Sequence, residues 1–489
     1  MTPSARLGDV LLDACARTPA HPAVVAGGDA WTYARLAEAV RHVGEDLRLR
    51  LDGTRCMFVP EPLPSSVATL FALFRAGKVP FIADPTWPAA VLLDICGTFG
   101  CRTVVAGSGH SFSEPLPGRQ PVRDDRRSPP FAWTLPWIAD GGALHPSTAF
   151  VRFSSGSTGR PRALEFSASA ALEAAGTWRA AAAISERDRI LCLATLNNGL
   201  AFNTSLLSAL LAGATLHLHA GLPTPGAIVR NALQVLPTIL VGFPFILELL
   251  LGQGEKLRRS LGEARLVVSS AAPLPADVAT RWQDVTGLPI GHYYGIAETG
   301  PVTFNDGRTP GSSGTPLPGT RIRASGREGS PGPIAVRTRY QATAYVDDGG
   351  PPLTDAADAE GYFLTSDLGH LAADGGLRIV GRAGRVANLA GNKFSLDAVE
   401  AAIGSLPGIE GVHVQIRDGV MTAYVHGPGI PVDAVRAHCL RVLPPLQVPH
   451  RIRQVPHLPR SAAGKISVAS LELLSERPNR TTYSTGEET

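Results

Sequence analysis

No apolar run in this sequence is long enough to cross a membrane as a helix. The longest candidate, Thr238 to Gly252, contains Pro244 and Glu248 and falls short of the roughly 20 residues such a helix needs, so no membrane span is expected. An export leader is not expected either, because Arg6, Asp9, Asp13 and Arg17 interrupt the apolar positions of the first residues. Charge of one sign is not in excess: 45 Lys plus Arg stand against 42 Asp plus Glu, a net +3, with no basic run of the kind that tracks nucleic acid. The six cysteines, at 15, 56, 96, 101, 192 and 439, form neither a disulfide framework nor a zinc spacing. They read as reduced thiols packed inside a cytoplasmic protein. No internal repeat is present.

What the chain does have is an α/β rhythm. Short apolar runs such as Ala23 to Val25, Met57 to Val59, Val79 to Ile82 and Thr103 to Val105 alternate with helical patterns at Tyr33 to Leu47 and Ser65 to Ala76. Residues 107–147, rich in Gly, Ser, Pro and Arg, read as a long surface connection between two subdomains. A second α/β stretch follows, with a helix at Ser205 to Leu211 and strands at Thr215 to Leu218 and Leu266 to Val268. From Gly311 to Val380, glycines, prolines and short Val/Ile pairs suggest an antiparallel sheet or small barrel. A compact α+β unit comes next, with helices at Leu396 to Ile403 and Val432 to Leu443 around strands Val412 to Ile416 and Val420 to Val425. The expected organisation is a large N-terminal domain over 1–382, made of two α/β subdomains and a small barrel-like part. A small mobile α+β domain over 383–475 and a polar tail over 476–489 complete it. At 489 residues, about two or three folding units are in keeping with ordinary domain size.

The most informative segment runs from Phe153 to Arg162 and follows an apolar strand. Ser154, Ser155, Gly156, Ser157, Thr158 and Gly159 let backbone amides approach an anion and add hydroxyl donors, while Arg160 and Arg162 bring positive charge. Those are phosphate-binding properties, although no Gly-Lys-Ser/Thr closes the loop as in nucleoside triphosphatases.

This loop resembles the phosphate loop of the adenylate-forming superfamily, which comprises acyl-CoA synthetases, firefly luciferase and the adenylation domains of peptide synthetases. Arg162 stands where most members have Lys, and a planar guanidinium replaces a point charge there. Further segments resemble the family's signatures in the same order, over nearly the whole chain from Trp31 to Ile466. The resemblance implies that Tyr294 lies against adenine and that Glu298 with the Thr158 hydroxyl holds Mg2+, an ion that combines a few hard oxygens with phosphates and water. Ala297 occupies the position of a phosphate-bonding Thr, a task that Thr299 or a loop hydroxyl would then take over. Ala271 and Ala272, within Ser269 to Leu274, would line the acid and adenine pockets. Asn198, Phe202, Tyr293 and Gly295 complete the implied acid pocket. Asp367 would accept both ribose hydroxyls, with Arg382 beside it.

The segment Leu458 to Ile466 resembles the family's catalytic-lysine motif, which makes Lys465 the residue that stabilises charge on the transferring phosphoryl group. Gly384 stands at the family's hinge, and Leu389 to Lys393 resembles the loop along its pantetheine tunnel. The resemblance thus implies ATP-dependent conversion of a small-molecule carboxylic acid, aryl or aliphatic, to acyl-AMP, then transfer to the thiol of coenzyme A. Two alternatives remain open at this point: a ligase loading the phosphopantetheine arm of an acyl carrier protein, and a nucleotide-binding pseudoenzyme.

Overall fold

The computed structural model describes residues 3–51, 53–106, 131–135, 138–139, 141–154, 162–221, 223–346, 353, 357–389, 392–417, 420–443, 447–460, 466, 470–471 and 474. By contact the chain forms two units. The larger takes Met1–Thr365 with His370–Arg378, and the smaller takes Ser366–Gly369 with Ile379–Thr489.

Two sheets organise the larger unit. In the first, the strands run in the order Pro22–Ala26, Thr215–Leu218, Arg189–Cys192, Ile239–Gly242, Leu266–Ser269 and Ile290–Ile296, each parallel to the next. Antiparallel strands flank these, Asp29–Thr32 on one side and Gly300–Asn305 followed by Thr315–Pro316 on the other. These central strands are short apolar runs buried on both faces, the pattern a covered parallel sheet requires. In the second sheet Thr148–Ser154, Val79–Ile82, Arg55–Val59 and Thr103–Ala106 are parallel neighbours. Arg162–Ser167 adds antiparallel to Thr148–Ser154. The main core of the unit includes Trp178, Phe150, Phe202 and Trp282, all nearly or wholly closed to solvent.

Two sequence expectations change here. The connection read over 107–147 contains a strand, Phe131–Thr134, paired with Thr103–Ala106, and Trp133 on it is buried. The helix expected at Ser205 to Leu211 begins earlier, as a π-helical turn over Ala201–Leu207 that passes into an α-helix over Ser208–Ala212. Gly213, in the left-handed region, ends it.

A four-stranded sheet of Arg321–Ala324, Gly332–Arg337, Phe363–Leu371 and Leu377–Arg382 occupies the stretch read as antiparallel or barrel-like. In the smaller unit, strands Gly411–Arg417, Val420–His426 and Arg451–Gln454 form one sheet. Helices Leu396–Gly404 and Val432–Val442 share its core through Val399, Ile403, Val435 and Cys439. A large α/β domain with mixed sheets and a smaller α+β domain is the architecture expected from the sequence. All six cysteines are free and buried. No helix among the described residues is long and apolar enough to cross a membrane.

Candidate active site

In open α/β sheets, ligands bind beyond the carboxyl ends of parallel strands. Residues singled out from the sequence gather at such ends. Ser154 closes Thr148–Ser154, Asn198 follows Arg189–Cys192, Ala271 and Ala272 follow Leu266–Ser269, and Tyr293 to Glu298 lie at and just past the end of Ile290–Ile296. Loop residues 155–160, which include Ser155, Gly156, Ser157, Thr158 and Gly159, lie outside the described residues, as do Ala390, Gly391 and Lys465.

Glu298 is half-buried, and the Tyr345 hydroxyl donates to its Oε1 at 3.0 Å. The Arg162 guanidinium lies 3.6 Å above the centre of the Tyr345 ring. The short strand Ala344–Tyr345 makes this contact possible by pairing with Arg162–Ser167, which sets Tyr345 opposite Leu164. Burial, and then the Glu298 carboxylate, push the Tyr345 phenol well above its ordinary pKa, so it stays a donor. An acid, a phenol and an arginine thus meet where the glycine-rich loop returns to the sheet. Sequence reasoning missed Tyr345, and an isolated tyrosine far along the chain offers no signal of its own.

Gly295 is fixed by close approach, since a Cβ there would come 2.5 Å from the Gly300 carbonyl oxygen, beside a register shift between Tyr294 and Gly295. Tyr294 is buried, whereas Ala271 and Ala272 are exposed. Thr299, offered as a substitute for the hydroxyl missing at Ala297, is fully buried, and its hydroxyl turns toward the Gly300 carbonyl. Packing therefore keeps it from reaching a bound phosphate. Asn198 uses its amide oxygen to accept from Leu200 N at 2.8 Å, which caps the turn leading into the π-helix.

Phe202 and Tyr293 surround a residue the sequence reading did not select, Arg152. Its guanidinium lies 4.3 Å from the ring centre of Phe166 and 5.5 Å from that of Phe202. Arg152 is only 6% exposed, and no acceptor among the described residues meets its Nε or Nη1. Burial pulls its pKa down to about 10, which leaves it charged at neutral pH. Stacking on aromatic faces returns about 2 kcal/mol when desolvated. Taking an ion out of water costs several kcal/mol, so the rings do not balance this charge. Arginine at an inward position of an otherwise apolar strand was the available signal.

Among the residues of the smaller unit, Arg382 Nε donates to Asp367 Oδ1 at 3.0 Å, with Asp367 buried and Arg382 exposed. The two residues matched separately to a ribose site are thus partners. Gly384 sits in a 3-10 turn, Ala383–Arg385. No group of three or more His, Cys, Asp or Glu among the described residues could hold a metal ion. A lone carboxylate such as Glu298 fits an ion that takes most of its oxygens from phosphates and water, as magnesium does.

A large α/β unit with mixed sheets and a smaller α+β unit are the architecture typical of adenylate-forming enzymes. The model for AMP-binding enzymes matches residues 11–346, and the chain belongs to that family. It is 26% identical over 477 residues to the 3-hydroxybenzoate–CoA/4-hydroxybenzoate–CoA ligase of Thauera aromatica, with 89% of this chain and 90% of that one covered. Its fold matches ATP-bound MatB from Rhodopseudomonas palustris at a TM-score of 0.80 and 20% identity, over 97% of this chain and 99% of that chain. The O-succinylbenzoate coenzyme A synthetase MenE from Bacillus subtilis, in complex with ATP and magnesium ion, matches at 0.78 and 19% identity, over 95% and 99%.

Proposed function

We propose that this protein activates a carboxylic acid with ATP and passes the acyl group to the thiol of coenzyme A. The observation that carries the reading is the Glu298–Tyr345–Arg162 cluster at the exit of the glycine-rich loop. It supplies both a carboxylate suited to magnesium and a cation suited to phosphate. The ligase name of the Thauera relative, together with the ATP bound in both fold neighbours, supports the same chemistry.

In the first half-reaction a carboxylate oxygen attacks the α-phosphorus of ATP. One P–O bond forms, the bond to the β-phosphate breaks, and pyrophosphate leaves. No proton moves, because the acid is already ionised at neutral pH. The work is positioning and charge stabilisation, assigned to the loop amides, Arg162 and Lys465, with Asp367 and Arg382 on the ribose. Magnesium, when bound, would be held by Glu298 and the Thr158 hydroxyl and would neutralise phosphate charge. In the second half-reaction the thiol sulfur, after losing its proton, attacks the acyl carbon, and the bond to AMP breaks.

Acid-dependent exchange of pyrophosphate into ATP tests the first step. Lys465→Ala should lower it by about 100-fold or more, the usual cost of removing one transition-state donor. If no acid supports exchange above that variant's level, the chain is a nucleotide-binding protein without this activity. Supplying coenzyme A or holo-carrier proteins to the active enzyme then decides the acceptor, with thioester on a carrier alone favouring the carrier-loading alternative.

A further inference from the structure

Arg152, on Thr148–Ser154, shares the lining of a small cavity with Phe150, Phe166, Ala170, Asn203, Gly300 and Tyr340, every one of them buried. The cavity has room for about one particle of the size of water. Gly199 lets the backbone pass over the guanidinium fork, since an added Cβ there would come 2.8 Å from Nη1.

This fork has two needs, hydrogen-bond acceptors and a counter-charge. Its Nε and Nη1 are closed to solvent and meet no acceptor among the described residues. Buried donors are ordinarily hydrogen-bonded and buried charges paired, because desolvation is otherwise costly. The rings of Phe166 and Phe202 attract the cation but carry no net charge. Tyr293 is the titratable group that acts on it, and burial pushes that phenol well above its ordinary pKa, so it is neutral at pH 7. Arg152 cannot meet the need by losing its proton, because burial brings its pKa down only to about 10.

A water molecule would accept from one or two of these donors and leave the charge unbalanced. A carboxylate or a phosphate would balance the charge, but neither fits a space of this size. Chloride meets both needs: it accepts several hydrogen bonds, carries one negative charge and is only slightly larger than water.

We infer that the larger unit binds a chloride ion inside this cavity, against Nε and Nη1 of Arg152 and between the buried phenylalanines. The ion belongs to the fold and takes no part in acid activation, so the inference stands apart from the function proposed above.

The test uses the full-length protein, exchanged into sodium gluconate and returned stepwise to sodium chloride at constant ionic strength. The thermal unfolding midpoint should rise by a few degrees between about 1 and 150 mM chloride and then level off, as mass action on a single site requires. Bromide should act as chloride does, whereas gluconate, too large for the cavity, should not. In Arg152→Met the saturable response should be lost. Because that variant is at risk of not folding, wild-type crystals soaked in bromide give a second reading: an anomalous peak within hydrogen-bond distance of the Arg152 guanidinium. A water or a side chain against Nε and Nη1, with no bromide there, overturns the inference. So does a chloride response that persists in folded Arg152→Met, or one that gluconate reproduces. Bromide beside Arg152 in the crystal without any chloride response in solution marks an adventitious ion only, and overturns it as well.

Discussion

Ala271 adopts φ of +71°, a left-handed conformation that costs an L-residue roughly 1–2 kcal/mol relative to its ordinary regions. It is exposed just past the end of the strand Leu266–Ser269, so neither burial nor a tight core demands the strain. Strain of this kind tends to be kept where backbone has to pass close to a ligand. Ala271→Gly should therefore stabilise the fold by about 0.5–1 kcal/mol, the relief exceeding the extra freedom that glycine gives the unfolded chain. An upward shift of the urea midpoint without a change in slope would verify this. At this scale Glu298, Asp367 and Arg382 could be proposed from the sequence because each sits inside a short motif. Tyr345 and Arg152 could not, because their partners arrive from distant segments: Glu298 is 47 positions from Tyr345, and the rings around Arg152 come from three elements.

Helices and strands were legible where their periodicity was clean, and less so where neighbours override it. The four-residue strand Phe131–Thr134 sits at a sheet edge and owes its existence to pairing with Thr103–Ala106. The π-helical turn over Ala201–Leu207 has no signature in periodicity, yet turns of this type often occur at functional sites. The strand Thr215–Leu218 carries a buried histidine, His217, with neither ring nitrogen partnered among the described residues. Burial, and then the nearby Arg189 charge, lower its pKa from 6.5 to about 4. A base whose folded pKa is depressed is protonated more readily in the unfolded chain. The stability it allows is present above the unfolded pKa near 6.5 and is lost as pH falls toward 4. The loss amounts to about 3 kcal/mol at most. In His217→Leu, the drop in stability between pH 7 and pH 4, followed by urea denaturation, should be smaller by about 2–3 kcal/mol. An identical drop in the two proteins would count against this account.

For the whole molecule, the residue after Gly384 is firmly fastened. Arg385 pairs with Asp397 and Glu400 and donates to the Val414 carbonyl at 2.8 Å, all within the smaller unit. The proposed movement of Lys465 between half-reactions would then be absorbed at Gly384 or just before it. Proline's fixed φ suits the 3-10 turn seen at Ala383–Arg385 but closes the other conformations that glycine allows. Gly384→Pro should therefore lower thioester formation about 10-fold or more while pyrophosphate exchange falls much less. Equal losses in both assays, or none, would dismiss the hinge. By itself the sequence determined the fold class and the order of the segments, because buried parallel strands and glycine-rich loops impose local patterns that can be read in a line. Only the tertiary structure decided that Thr299 is shut in, that Tyr345 holds Glu298, and that a charged Arg152 lies among aromatic rings. Burial and partnership are properties of residues brought together from far apart, and no local pattern carries them.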